Sequence, residues 1–276
     1  MTQLERKLVS GMFLLGLAAG RLSGECPKPG GGEAPIVSNP NRPTVSNPAD
    51  LTQRGVAEIE YGWQRSWPGA GSRGDSLGGL FRFGLLCDLE LRFNSDTFLR
   101  QRQEGVSRRG LGDTWTGVQY RFLKQTRVPA MAISYALKQP TASSRKELGS
   151  GRADHFLTYL ASKDLGGFHA DFNASFLDAG RPQQEGRDRN VELALSLTHA
   201  LQGPLALTGE IYGDTRLNSD TPGFASTLWA LSYSVNPRLT LDAAVDFGLT
   251  SGAARKQLLV GFTYALGDLY SRRQRP

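Results

Sequence analysis

The chain has 276 residues, of which 39% are hydrophobic, and its 32 Lys+Arg against 26 Asp+Glu give a formal net charge of +6. Past residue 20 no apolar run approaches the ~20 residues a spanning helix needs, which excludes a polytopic helical membrane protein. Two cysteines exclude a disulfide scaffold or a Cys-rich zinc module, three histidines leave little for a histidine metal centre, and 33 glycines point to an all-β chain.

In chain order, the first element is an export signal. Arg6 and Lys7 form a basic start, Leu8 to Ala19 is a short apolar run, and Ala18, Ala19 and Gly20 are small enough for a cleavage site. This predicts a signal peptide over 1–24. Residues 25–52 are rich in Pro, Gly and Asn, with SNP at 38–40 and again at 46–48. With no face to bury, they read as a flexible periplasmic linker. The three glycines at 30–32 lack a following Lys-Ser/Thr and a helix signal, so they are linker and not a phosphate loop.

From Gly55 onward the pattern has period two. Ala57, Ile59, Tyr61 and Trp63 alternate with Glu58, Glu60 and Gln64; Leu89, Leu91 and Phe93 alternate with Glu90, Arg92 and Asn94. Val191, Leu193, Leu195 and Leu197 alternate with Glu192, Ser196 and Thr198, and Leu239, Leu241, Val245 and Phe247 with Thr240, Asp242 and Asp246. Twelve such segments run to residue 267, each with one apolar and one polar face. The connections alternate in length. Those at 87–88, 124–129, 163–167, 200–204 and 235–238 are short. Those at 66–76, 95–110, 139–152, 178–190, 214–224 and 249–256 are longer and polar.

Short turns at one end and long loops at the other, with charge at mid-strand, predict a transmembrane antiparallel up-and-down β-barrel of about 12 strands over 53–267. The cell outer membrane of the Gram-negative type is the compartment this implies. Residues 268–276 read as a basic, frayed tail. Trp63, Trp229, Tyr61, Tyr120, Tyr212 and Tyr233 are candidates for interfacial girdles.

The polar stripe supplies the candidate lumen-facing residues: Glu58, Glu60, Arg82, Glu90, Arg92, Asp171, Glu192, Glu210, Asp242 and Asp246. A water-filled acidic interior would favour cations. Alternatively Glu58, Glu60, Arg82, Glu90 and Arg92 pair across neighbouring strands and plug a narrow barrel. The second reading is favoured, because opposite charges close together on one face pair by default. Arg100, Arg102, Arg108, Arg109, Arg145, Lys146, Arg181, Arg187 and Arg189 lie in the long connections. They suit lipopolysaccharide phosphates or a plain solvated surface.

No catalytic, cofactor or metal site is predicted. Asp154 and His155 are adjacent in a strand and so point to opposite faces. No nucleic-acid module is present, and Cys87, in a tight turn, is expected to lack a partner within the barrel.

Several segments resemble a known family. The hairpin Arg82-Phe83-Gly84-Leu85-Leu86-Cys87-Asp88-Leu89-Glu90-Leu91-Arg92, and Gly110-Leu111-Gly112-Asp113-Thr114 followed by Gly117-Val118-Gln119-Tyr120-Arg121-Phe122-Leu123, are similar to its motifs. So are Pro140-Thr141 with Gly149-Ser150-Gly151 and Asp154, and the closing Phe247-Gly248-Leu249-Thr250 and Val260-Gly261-Phe262-Thr263-Tyr264. The family is the transporter-like outer-membrane barrels of the MetA-pathway of phenol degradation, and the resemblance spans about 55–266. It implies passage of small solutes, including aromatic or other hydrophobic compounds. The partners expected are outer-membrane lipid, lipopolysaccharide and the solute. The competing expectation is a structural or surface-binding barrel, closed to solutes and acting through its Arg-rich external loops.

Overall fold

The computed structural model describes residues 35–69, 71–182 and 184–270. The expected signal peptide, the first part of the expected linker and residues 271–276 lie outside the described residues. The strands are β1 (Val56–Gly69), β2 (Ser72–Leu86), β3 (Leu89–Gln103), β4 (Val106–Gly110), β5 (Thr114–Leu123), β6 (Ala130–Gln139), β7 (Asp154–Leu165), β8 (Phe168–Gly180), β9 (Arg187–Ala200), β10 (Leu205–Asp214), β11 (Phe224–Asn236), β12 (Leu239–Gly248) and β13 (Lys256–Asp268). Among the described residues the only helical turn is 3₁₀, at Ser144–Lys146.

Every neighbouring pair is antiparallel, and β1 bonds both β2 and β13, so the sheet closes. β4 and β5 both pair with β3 and together make one stave, which gives a closed barrel of twelve. Closure follows from the solvent. In hydrocarbon a bare sheet edge would leave a row of peptide groups without partners, and a cylinder has no edge.

The barrel is apolar outside and polar inside. Leu193, Trp229 and Val260 are each more than half exposed, whereas Glu58, Arg82, Glu90 and Asp246 have no exposed surface. That inverts a soluble fold and fits a wall with lipid on one side. Tyr212 departs from the girdle expectation: its ring is buried inside, and its hydroxyl donates to Asp246 Oδ2 at 2.8 Å.

Three of the expected long loops are largely strand. Pairing in β1–β2 continues to Gly69 and Ser72, β3–β4 forms a hairpin over 99–110 turning at Glu104 and Gly105, and β8–β9 pairs out to Gly180 and Arg187. Beyond the membrane both faces of a ribbon meet water, so the apolar alternation that marks a strand is lost while its backbone ladder persists. At the other end, Tyr270 does not fray. Its hydroxyl donates to Leu85 O at 3.0 Å and its ring meets Phe83 edge-on at 5.6 Å.

The expectation of a flexible linker is corrected for residues 35–52. This stretch lies inside the barrel, with Ser46 and Ala49 fully buried. It has no apolar periodicity because it packs against polar walls. Pro40, Pro43 and Pro48 lack the N–H that a strand ladder requires, so it stays irregular and takes its acceptors from the barrel.

A cation on the outward stripe tests the orientation of the wall. Leu195 is near the middle of β9, between Phe172 and Ile211. Leu195→Arg should lower unfolding free energy in liposomes by about 2–4 kcal/mol, measured by guanidinium titration of the heat-modifiable folded band.

Candidate functional site: the barrel interior

The interior centres on charges contributed by β1, β2 and β3. Their register sets Glu58 opposite Arg82, and Arg82 opposite Arg92. Two guanidinium groups facing one another would repel, but Glu90 lies between them. Arg82 Nη1 is 3.6 Å from Glu90 Oε2, and Arg92 Nη1 is 3.5 Å from Glu90 Oε1. Arg82 Nη2 donates to Glu58 Oε1, to Glu60 Oε1 at 2.8 Å, and to the carbonyl of Asn39. Arg92 donates to Gln119 Oε1 at 2.6 Å and to Asn47 Oδ1 at 3.2 Å. The pairing read from the sequence for Glu58, Glu60, Arg82, Glu90 and Arg92 is thus the arrangement present.

The carboxylates also hold the inner segment. Asn39 N donates to Glu58 Oε2 at 2.8 Å, Asn41 N to Glu60 Oε1 at 2.9 Å, and Thr52 N to Glu90 Oε2 at 2.7 Å. Across the barrel, Glu210 on β10 accepts from Val45 N at 2.9 Å and from both N and Oγ of Ser46, at 2.6 and 2.7 Å. Neutral groups complete the seating. Asn47 N donates to Asn173 Oδ1 and Asn173 Nδ2 to Asn47 O, each at 2.8 Å; Ala49 N donates to Ser162 Oγ at 2.7 Å; Gln119 Nε2 donates to Pro48 O at 2.9 Å. Charge-assisted bonds to backbone amides are stronger than neutral ones, so the segment is seated by four carboxylates on two sides.

The remaining candidates lie further round the wall. Asp242 is 3.4 Å from Arg42 of the segment. Asp246 accepts from Tyr212 and, at 3.0 Å, from Gln257 Nε2. Asp171 accepts from Ser162 Oγ at 2.5 Å and stands 3.2 Å from His169 Nε2. Glu192 lines a cavity with Arg92. Asp154 pairs with Lys138, while His155, on the opposite face, lies 2.7 Å from the Tyr135 hydroxyl. Cys87 is disulfide-bonded, and the chain's other cysteine, Cys26, lies outside the described residues.

Two of the cavities among the described residues lie beside the segment. One, of about 600 Å³, opens at the short-turn end and is lined by hydroxyls, among them Ser196, Thr198, Thr208, Ser232, Ser234 and Thr240. The other, of about 250 Å³, combines Trp115, Phe156 and Leu160 with Arg92, Asn94 and Glu192. Trp115 and Phe156 meet edge-on at 4.8 Å. Sequence reading missed both rings as interior groups. Parity was the available signal: Trp115 falls on the side of Gln119, and Phe156 on the side of Asp154.

A closed twelve-stave cylinder with this inverted polarity defines an outer-membrane β-barrel. The chain belongs to the family described as "Putative MetA-pathway of phenol degradation", which matches residues 41–266. Among solved structures it is similar to an outer membrane channel from Pseudomonas putida F1, at 13% identity and a TM-score of 0.61, over 79% of this chain and 98% of that one. It also resembles the NanC porin, at 13% identity and a TM-score of 0.51, over 76% of this chain and 100% of that one. The KdgM porin likewise has a TM-score of 0.51, at 12% identity over 76% and 99%. No curated protein matches the chain.

Removing Arg82 should be costly. Arg82→Ala leaves Glu58, Glu60 and Glu90 buried without their shared cation, which should destabilise the barrel by about 3–5 kcal/mol. Guanidinium unfolding measures this, and adding Glu58→Gln to the variant should recover part of the loss.

Proposed function

We propose that this chain is an outer-membrane channel for small solutes, with the segment 35–53 as the constriction that limits their size. The observation that carries the reading is the pair of cavities inside a closed barrel, lined by polar side chains beside the segment. A barrel with only a structural task could fill such space with side chains, as small barrels do. Here hydroxyl and amide walls leave room for water and solute.

Ring-bearing solutes are the class we propose. The smaller cavity offers the Trp115 and Phe156 rings to a flat or hydrophobic face, with Arg92 and Asn94 close by for polar substituents. The family's description, which names phenol degradation, supports the same class. In this reading the partners are outer-membrane lipid, lipopolysaccharide and the solute itself. Export to the outer membrane would use the N-terminal signal.

A second reading has its own observation. The segment is fastened by charge-assisted bonds to Glu58, Glu60, Glu90 and Glu210, and a plug so tethered suits a barrel closed to solutes that acts through its external loops.

Planar-bilayer recording separates the two. The intact protein should give small, steady conductance steps, and deletion of 36–52 should raise the step size severalfold. Silence from both proteins, with the folded band intact on gels, would favour the closed barrel.

The ring pocket has its own test. Phenol and benzoate should reduce the conductance of the intact channel, and Trp115→Ala with Phe156→Ala should weaken that block about tenfold, as expected when two aromatic contacts of ~0.5–1.5 kcal/mol are removed. Equal block of both proteins would remove the pocket from the path.

A further inference from the structure

The outer wall above the apolar belt carries a charge pattern that solute passage does not use. Cross-strand register arranges it in rows. The lower row is Val260, Trp63, Leu77 and Phe98, all apolar. Two residues up, about 7 Å further along the tilted strand, the row is Leu258, Arg65, Asp75, Arg100 and Arg109. Two residues higher, Lys256 faces Trp67, and Arg73 faces Arg102.

Pleat alternation aims these side chains to the outside, on the same face as Trp63 and Phe98. Arg108, one residue from Arg109, has the opposite parity and pairs with Glu147 of the connection between β6 and β7, at 2.9 Å.

Six cations thus share one outward patch with a single strand carboxylate, Asp75. It is already engaged, 2.6 Å from Arg65 and 3.2 Å from Arg73. Arg100 stands directly opposite Arg109, and Arg73 directly opposite Arg102. Like charges facing across a ladder are destabilising. Arg100, Arg102 and Arg109 make no ion pair among the described residues. At the lower edge Arg65 lies over the Trp63 ring at 4.9 Å, and in the upper row Lys256 lies over Trp67 at 4.8 Å. Tryptophans paired with cations mark the height where hydrocarbon gives way to headgroups.

We propose that this face of β1–β4 binds the phosphate groups of lipid A in the outer leaflet. Guanidinium groups take phosphate in paired hydrogen bonds, and two phosphates on one glucosamine backbone would offset both facing arginine pairs, while the acyl chains lie along Leu77 and Phe98 below. The proposal rests on the chain being an outer-membrane barrel and is independent of whether its lumen conducts.

The test uses the full-length protein, purified in detergent and stripped of lipid, with bis-phosphorylated lipid A, monophosphoryl lipid A and phosphatidylethanolamine as probes in native mass spectrometry. The intact protein should bind the bis-phosphorylated form in preference to the other two, less so as salt is raised. Arg100→Gln with Arg102→Gln and Arg109→Gln should weaken that binding roughly tenfold or more, while Arg145→Gln with Lys146→Gln should leave it unchanged. Equal binding of the two lipid A forms by the intact protein, or displacement by inorganic pyrophosphate as readily as by lipid A, would overturn the proposal. If the triple variant does not fold, the preference and salt dependence of the intact protein decide. Conductance of the same preparation reports separately on the channel.

Discussion

Backbone amides must find acceptors, and this chain meets that demand twice with different chemistry. In the wall the neighbour is always another strand. Hydrocarbon offers no substitute acceptor, so the ladder has to run round to its own start, and the pairing of β13 with β1 accomplishes this. Inside, residues 35–53 have no neighbouring strand, and their prolines prevent them from becoming one. Their amides instead reach carboxylates and side-chain amides from β1, β3, β8 and β10.

The two solutions are coupled through Arg82. Three glutamates brought together in a low-dielectric interior repel one another and need a cation among them. Arg82 and Arg92 compensate them, and the compensated carboxylates are then the acceptors that hold the segment. The charge cluster and the plug are therefore parts of one structure. A buried ion network by itself is weak evidence of stabilisation, because desolvation offsets much of the attraction. Here its value is positional, since it fixes where Asn39, Asn41 and Thr52 sit.

How far this was legible in the sequence depends on what surrounds each residue. Between lipid and lumen the two faces of a strand meet different environments, so Glu58, Glu60 and Arg82 stood out against Ile59, Tyr61 and Phe83. The cross-strand pairing followed from charge and parity. Above the membrane that contrast disappears, and the β3–β4 hairpin read as loop although its ladder is intact. The inner segment was hidden for another reason. A stretch that packs against polar walls shows the composition of one that packs against nothing, and only the unusual number of mid-strand carboxylates hinted that something inside needed acceptors. Trp115 and Phe156 were overlooked because aromatic residues on a barrel are expected at the lipid interface, although their parity placed them with Gln119 and Asp154.

The same solvent logic divides the arginines into two populations. Arg82 and Arg92 are enclosed, each within reach of a carboxylate, and their positions are set by the wall. Arg100, Arg102 and Arg109 face outward, where the strand carboxylate in their patch, Asp75, is already engaged by Arg65 and Arg73. A guanidinium group that faces its like across a ladder is tolerated when water or an anion is at hand, and at the upper rim of an outer-membrane barrel both are present. Arg100, Arg102 and Arg109 thus place their charge on the rim and not in the lumen. The proposed path for solute and the proposed surface for lipid are electrostatically distinct, so substitution at one can be read without disturbing the other.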